Sequence, residues 1–158
     1  MAHFPSARNR DPPGNPGRCA IGYSILQTMT PRPIVVSTPP AQNHTYSQAV
    51  RLGDVIYLSG QLGTRPDGTI PDSFPQQVRQ ALDNVAAVLD ASGSSLALVA
   101  KVNIYITDFS KIREMNDVYP EYFPHRPAKT TVEVARLDKG AQIEVEVVAS
   151  AAPGNPPA

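Results

Sequence analysis

The hydrophobic period of the chain changes from that of a helix to that of a strand between residues 74 and 106. From Phe74 to Ala91, apolar residues recur every three or four positions, which predicts one amphipathic helix. Asp72 or Ser73 can cap its start, and Gly93 suits its end. From Val99 to Ile106 the period is two, which predicts a strand with one apolar and one polar side. The predicted apolar side carries Ala100, Val102, Ile104 and Ile106.

Shorter strands and a second helix are predicted around this pair of elements. Residues 34–37, 46–51 and 55–59 have the composition of strands, with a tight turn at Gly53-Asp54 between the last two. A second helix begins after Asp108 and runs to about Phe123, with Pro120 inside it. Residues 129–137 and 142–150 are the final strands. This order predicts an α+β fold with a single sheet and both helices packed on one face.

Proline is concentrated at the two ends of the 158-residue chain. Residues 1–30 and 152–158 also lack an apolar period, which predicts a proline-rich, disordered N-terminal extension and a flexible tail. The remaining residues, 34–151, are predicted to form one folded domain, and Met29 is either an alternative start of the chain or a buried anchor. Early arginines would suit a mitochondrial presequence, but the prolines among them oppose an amphipathic helix, so we expect a cytoplasmic protein.

Charge and composition exclude several classes of partner. Fourteen basic and fourteen acidic residues give a formal net charge of zero, so we expect no general attraction to nucleic acid or to an anionic membrane. No apolar run approaches the ~20 residues that cross a bilayer. Cys19 is the single cysteine and the three histidines are scattered, so neither an intrachain disulfide nor a metal site is predicted.

The last two strands alternate in a way that predicts how they pair. Apolar residues of neighbouring strands share a face, and the four residues 138–141 suit a hairpin between these strands. In that register Glu133 lies opposite Glu146, on a sheet face that also carries Lys129 and Glu144. We therefore expect Lys129 to lie among acids that favour its charged form. Such a face is either exposed to water or part of a polar pocket against a second subunit.

Several motifs together resemble the Rid/YjgF family. They follow the family's order and cover nearly all of residues 36–151. They include Tyr46-Ser47-Gln48, Ser59-Gly60-Gln61, Asn116-Asp117-Val118-Tyr119, Pro127-Ala128-Lys129-Thr130-Thr131 and Ile143-Glu144-Val145-Glu146. The resemblance implies a chorismate-mutase-like fold assembled as a homotrimer, with pockets between subunits. It also implies hydrolysis of reactive enamines or imines to a carbonyl compound and ammonia, without a metal or a cofactor.

The resemblance also implies roles for individual residues, and several of them, namely Tyr46, Ser59, Gly60, Asn116 and Glu144, also have a structural alternative in their strand or helix. Glu144 matches the carboxylate that activates water, and Tyr46 and Asn116 match positions that orient substrate and water. Lys129 matches the residue that binds the substrate carboxylate. The implied substrate-binding set further includes Ser59, Gly60 and Thr131. The expected ligand is a small molecule such as an imino or keto acid.

The chain departs from the family's pattern in two places. Lysine occupies position 129 where the deaminases have arginine, and a compact ammonium cannot bind both carboxylate oxygens as a planar guanidinium does. Asn43-His44-Thr45 replaces a Gly-Pro pair before Tyr46. Three hypotheses fit these residues: a divergent imine or enamine deaminase, an enzyme of another reaction in the same pocket, and a non-catalytic trimer that binds a small ligand.

Overall fold

The structure is a computed structural model that describes residues 30–34 and 45–154. Its strands are β1 (Arg32–Ile34), β2 (Ala49–Leu52), β3 (Val55–Leu58), β4 (Gln61–Leu62), β5 (Val99–Ile106), β6 (Ala128–Glu133) and β7 (Ile143–Ser150). Its helices are α1 (Phe74–Ala91) and α2 (Ile112–Tyr122), with 3₁₀ turns at Leu96–Leu98, Phe109–Lys111 and Asp138–Gly140. Residues 1–29, 35–44 and 155–158 lie outside the described residues, and with them Met29, His44 and most of the predicted extension and tail.

All of these strands belong to one sheet. Its order is β1-β2-β3-β7-β5-β6, and neighbours are antiparallel except β5 and β6, which run parallel. β3 and β4 follow one another along β7, so that Ser59-Gly60 forms the break between them. The predicted fold class, a single sheet with two helices, is confirmed.

The helices cover one face of this sheet. On β5 and β7 the residues of the covered face are buried, whereas those of the other face are half-buried. The buried apolar side chains of both helices belong to the same core cluster as the buried apolar residues of these strands. The predicted helix over Phe74–Ala91 and the strand over Val99–Ile106 are confirmed. Ser73 precedes α1 without a capping side-chain hydrogen bond, and Gly93 follows it with a φ of 70°.

The start of β5 differs from the predicted alternation. A register shift lies between Val99 and Lys101, because Val99 pairs with Ala149 while Lys101 pairs with Val148. Ala100 is the extra residue, and it is exposed while Val99 is buried. The prediction that Ala100 belongs to the apolar side is therefore wrong. A β-bulge inserts one residue and shifts the alternation on one side of it.

The predicted hairpin between the last two strands is also wrong. β5 lies between β6 and β7, pairing with β6 in parallel and with β7 in antiparallel orientation. Glu146 is opposite Asn103, and Glu133 is opposite Ile106, so the two acids do not face each other. Helix α2 lies between β5 and β6 in the chain, and a crossover helix returns the chain to a parallel neighbour. Alternation indicates which residues of a strand share a face, but not which strand lies beside them.

This topology places the two main candidate residues on opposite faces of the sheet. Lys129 is level with Val102, whose side chain is in the core, so Lys129 lies on the helix-covered face at the sheet's edge. Glu144 is level with Tyr105, on the face without helices. Directly paired residues share a face, so Lys129 and Glu144 of one copy cannot line one pocket. The expectation that Lys129 lies among the acids of β7 is overturned.

Close packing of α1 on the sheet depends on Gly63. A Cβ atom there would lie 2.5 Å from the backbone oxygen of Gln77 and 2.9 Å from its Cα. Neither atom can move without moving the helix, so Gly63→Ala is expected to lower the free energy of unfolding by about 1–3 kcal/mol. Urea denaturation measures this loss. Gly60→Ala is the control, because its three nearest atoms belong to a side chain; an equal loss there would contradict the stated cause.

Candidate functional site

Lys129 forms the centre of a polar cluster on the helix-covered side of the β6 edge. Its Nζ donates a hydrogen bond to Oδ1 of Asn116 over 2.8 Å and lies 4.5 Å from the centre of the Tyr119 ring. Burial lowers the pKa of the Lys129 ammonium. Neither partner carries a negative charge, and no ion pair of Lys129 is found among the described residues. The cluster is thus a cation with neutral partners, suited to an incoming anion.

The conformation of α2 explains why Asn116 and Tyr119 can both reach this lysine. The two residues are three positions apart on one helix and therefore lie on the same side. Pro120 is inside the helix, as predicted, and has no amide hydrogen for the Asn116 carbonyl. The Asn116 side chain accepts a hydrogen bond from Lys129 and does not compensate for the missing amide donor of Pro120. The structure therefore brings together Asn116 and Lys129 of the predicted site residues.

A cavity of about 470 Å³ lies beside Lys129. Its other lining residues are mostly apolar: Tyr119, Pro120, Phe123, Pro124, Arg126 and Pro127. Sequence reasoning missed this cavity, because it is formed by the end of α2 and the irregular turn after it. The three prolines between positions 120 and 127 were the sequence feature that could have predicted such a turn.

Two buried hydroxyl groups of this region have no hydrogen-bond partner among the described residues. They belong to Tyr119 and to Thr131, which shares the covered face with Lys129. Burial raises the pKa of Tyr119 to about 12, so the phenol is neutral. A buried donor without a partner is costly, so each of these hydroxyls calls for a partner such as a water molecule or a ligand.

Glu144 forms the centre of a second cluster, on the face without helices. Its carboxylate lies against the backbone of Gly60, where an added Cβ would be 1.8 Å from Oε1. Burial raises the pKa of the Glu144 carboxyl, and the charges of Glu146 and Asp138 raise it further. No hydrogen-bond donor to this carboxylate is found in the described part of the chain. Gly60 thus provides the space that Glu144 occupies.

Glu146 is held differently from Glu144. Its Oε1 accepts hydrogen bonds from Nδ2 of Asn103 over 2.8 Å and from the hydroxyl of Tyr105 over 3.0 Å. Burial raises the pKa of Tyr105, and the hydrogen bond to Glu146 adds to this effect. Sequence reasoning gave Asn103 and Tyr105 no role, although the polar side of β5 was the signal that could have found them. Glu146 thus accepts two hydrogen bonds, whereas the Glu144 carboxylate accepts none within the described residues.

Ser59 is hydrogen-bonded within its own copy, and Tyr46 is exposed. The Ser59 hydroxyl donates to the carbonyl of Ser47 over 2.7 Å, and its amide donates to the carbonyl of Gln48 over 2.9 Å. These bonds hold the segment before β2 and occupy both the hydroxyl and the amide of Ser59. The Tyr46 side chain is 54% exposed. Within one copy, the predicted site residues therefore form two separate groups.

The described residues give no membrane span and no metal cluster. None of their helices is long and apolar enough to cross a bilayer. Within the same residues, no three His, Cys, Asp or Glu side chains are grouped to hold an ion.

This chain is similar to known proteins both in sequence and in fold. The model of the family described as endoribonuclease L-PSP matches residues 36–151. Protein HMF1 of Saccharomyces cerevisiae is 38% identical over 128 residues, which are 80% of this chain and 98% of that protein. A 2-iminobutanoate/2-iminopropanoate deaminase of Dermatophagoides farinae is 41% identical over 125 residues, 76% of this chain and 97% of that protein. The crystal structure of the YjgF gene product of E. coli superposes with a TM-score of 0.71 at 35% identity, covering 75% of this chain and 98% of that one.

Proposed function

This chain belongs to the endoribonuclease L-PSP family, also called the Rid/YjgF family, and from that premise we propose that it hydrolyses a reactive enamine or imine to a carbonyl compound and ammonia. The observation that carries the proposal is the Glu144 carboxyl, half-buried against Gly60 with a raised pKa and no hydrogen-bond donor in the described residues. A carboxyl of this kind is able to take a proton from water and return it. Relatives named as imine deaminases support the reaction class.

The proposed reaction requires proton transfer to and from water and nitrogen. Water attacks the carbon of the protonated imine, and Glu144 accepts the proton that the water loses. The product is a carbinolamine, whose nitrogen then takes the proton back from Glu144. The carbon–nitrogen bond breaks and ammonia is released, while the remaining hydroxyl gives its proton to Glu144 to form the carbonyl. Ammonia then takes this proton from Glu144 and leaves as ammonium. The reaction consumes one water and requires no electron transfer, so the proposal includes no cofactor.

The proposed carboxylate anchor is Lys129. Its ammonium has one neutral hydrogen-bond partner, Asn116, and two donors left for a ligand. Lysine holds an anion as a point charge, without the bidentate geometry of arginine. We therefore expect substrate to bind through Lys129 with less fixed orientation than an arginine would impose.

The proposed site is shared between copies of the chain. Lys129 and Asn116 lie on the covered side of the sheet and Glu144 lies on the open side, so a second copy must bring the two groups together. The open face also exposes apolar side chains, with Tyr57 46% and Val132 40% exposed. Burial of that face against another copy would remove this surface from water. We propose a homotrimer, and a mass of 17.0 kDa in solution, that of one chain, would contradict it.

The reaction is tested with 2-aminoacrylate generated by a pyridoxal-phosphate lyase. Loss of the imine should be faster with the protein than without it. If the wild-type rate equals the rate without enzyme while Lys129→Arg accelerates the loss, the natural reaction is a different one in a permissive pocket. If neither protein accelerates it, the proposal is wrong, and a rise in melting temperature with small organic acids would favour the non-catalytic trimer.

Mixing two inactive variants tests whether the site is shared. Lys129→Ala lacks the anchor and Glu144→Gln lacks the base, so each homotrimer should be inactive. In co-expressed mixed trimers, a site regains both groups when the lysine and the glutamate come from suitable neighbours. Random assembly at equal amounts should restore about one quarter of the wild-type rate. A mixture as inactive as either variant would place both groups of one site in the same copy.

A further inference from the structure

We propose that Arg126 is a second anion-binding residue beside Lys129, and that the cavity they share takes an organic acid with a bulky apolar body. The inference deepens the proposed function, because it rests on Lys129 as the carboxylate anchor. It names the substrate class: imino acids with a large, preferably aromatic, side chain. Nothing in the resemblance assigns a role to Arg126.

The cavity is larger and more apolar than a small imino acid requires. Its volume of about 470 Å³ falls in the range of pockets that enclose small-molecule ligands. Tyr119 and Phe123 contribute aromatic rings, with centroids 4.8 Å apart and planes inclined by 38°. Three prolines complete the apolar lining. The imino acid of alanine would leave most of this space empty, whereas an aromatic side chain would contact these rings.

Arg126 has an unfavourable backbone conformation at the edge of this cavity. Its φ is 57°, a left-handed value that residues other than glycine adopt uncommonly, and it directly precedes Pro127, which further disfavours helical conformations. The Arg126 amide donates to the carbonyl of Phe123 over 3.1 Å, which helps to fix the turn. Strained residues that persist beside a cavity often serve function, because glycine would fit the same backbone without strain.

The charge of Arg126 has no partner within the described residues. Neither an ion pair nor a side-chain hydrogen bond of its guanidinium is found there, and Lys129, the second cation of the cavity, has only Asn116 and the Tyr119 ring as partners. Two cations beside one cavity repel each other until an anion lies between them. A guanidinium also supplies the planar pair of donors that lysine lacks. The two residues together could hold a carboxylate in a fixed orientation.

Binding of stable acids tests the inference without any chemistry. NMR titration of the full-length protein with 3-phenylpropionate and with propionate gives the two dissociation constants. We expect 3-phenylpropionate to bind at least about tenfold more tightly, because its ring is buried in the cavity. Arg126→Gly should weaken its binding about tenfold while preserving or raising the melting temperature, since glycine relieves the strain. Arg126→Lys should retain part of the affinity.

Lys139→Gly is the matched control. Lys139 is also a cation at positive φ, 56°, and lies in an exposed turn that does not line the cavity. The substitution removes the same charge and the same kind of strain, and should leave the affinity for 3-phenylpropionate unchanged. Equal losses in the two variants would mean that net charge alone attracts the acid, and would overturn the role of Arg126.

The inference and the proposed function fail in different ways. If propionate binds as tightly as 3-phenylpropionate, or if neither binds, the cavity does not select the substrate, whatever the rate with 2-aminoacrylate. If the expected order of affinities holds but no imine is hydrolysed, the binding site stands and the proposed reaction is wrong.

Discussion

Glu144→Gln is expected to lower kcat for imine hydrolysis by about 10²- to 10⁴-fold, the range associated with loss of a general acid–base. Glutamine has nearly the same shape and still fits against Gly60, so the site should retain its geometry. It cannot accept a proton from water or return one to the leaving amine. The rate with 2-aminoacrylate measures the loss. Glu114→Gln is the control, since Glu114 is exposed in the first turn of α2; a rate within twofold of the wild type is expected there.

The same substitution is expected to stabilise the protein at neutral pH. Because the folded state raises the pKa of Glu144 above its ordinary 4.5, the carboxylate is less favourable in the folded protein than in the unfolded chain. Stability is therefore lost as pH rises from the unfolded pKa through the folded one. Glutamine avoids this loss, so its melting temperature should exceed that of the wild type at pH 7, and the difference should disappear as pH falls well below 4.5. Scanning calorimetry at the two pH values measures the difference.

The rate of imine hydrolysis should follow the ionisation of Glu144. Glu144 acts as a base only when ionised, so activity should fall as pH falls through its raised pKa, and the acidic limb should lie above the usual range for glutamate. Glutamine at position 144 should abolish that limb along with most of the rate. If Glu144→Gln keeps the wild-type rate, or keeps the wild-type acidic limb, Glu144 is not the proton acceptor.

Many elements of the fold were predictable because each depends on the spacing of apolar residues within its own segment. The helix over Phe74–Ala91 and the strand over Val99–Ile106 each carry their own pattern, and both were found with the same bounds. Only the bulge at Ala100 broke the alternation, since an inserted residue leaves no sign in composition. In these two elements the period identified the type of element and its buried side, because both follow from geometry within the segment.

The arrangement of the candidate site was less predictable, because it depends on which strands are neighbours. Alternation would be satisfied if β6 paired with β7, but the observed pairing with β5 places Lys129 and Thr131 level with core residues of β5 and leaves Val132 on the open face. That difference moves Lys129 from the acids of β7 to Asn116 on α2. The order strand–helix–strand around α2 contained the missing information, since crossover connections favour parallel pairing. The unusual φ of Arg126 has no such signal in the sequence.

Gly60→Ala is expected to reduce kcat/KM about 100-fold while leaving the fold intact, because a small displacement of a reacting group costs a large part of the rate. The new Cβ would lie 1.8 Å from Oε1 of Glu144, 2.6 Å from its Cδ and 2.8 Å from its Cγ. All three atoms belong to a flexible side chain, so the carboxylate rather than the backbone must move. Gly63→Ala, which meets the backbone of α1, should show the opposite combination of lower stability and nearly normal activity per folded molecule.

Two further measurements separate displacement of Glu144 from a general disturbance by Gly60→Ala. A carboxylate driven out of its half-buried position regains water, so its pKa should fall and the acidic limb of the rate should move to lower pH. In the double variant with Glu144→Gln, Gly60→Ala should cost almost nothing more, because both changes remove the same proton acceptor. Two results together would mean that Gly60 serves the reaction by a route other than Glu144. The acidic limb of the Gly60→Ala single variant would stay at its wild-type pH, and Gly60→Ala would lower kcat/KM by its full factor again in the Glu144→Gln background.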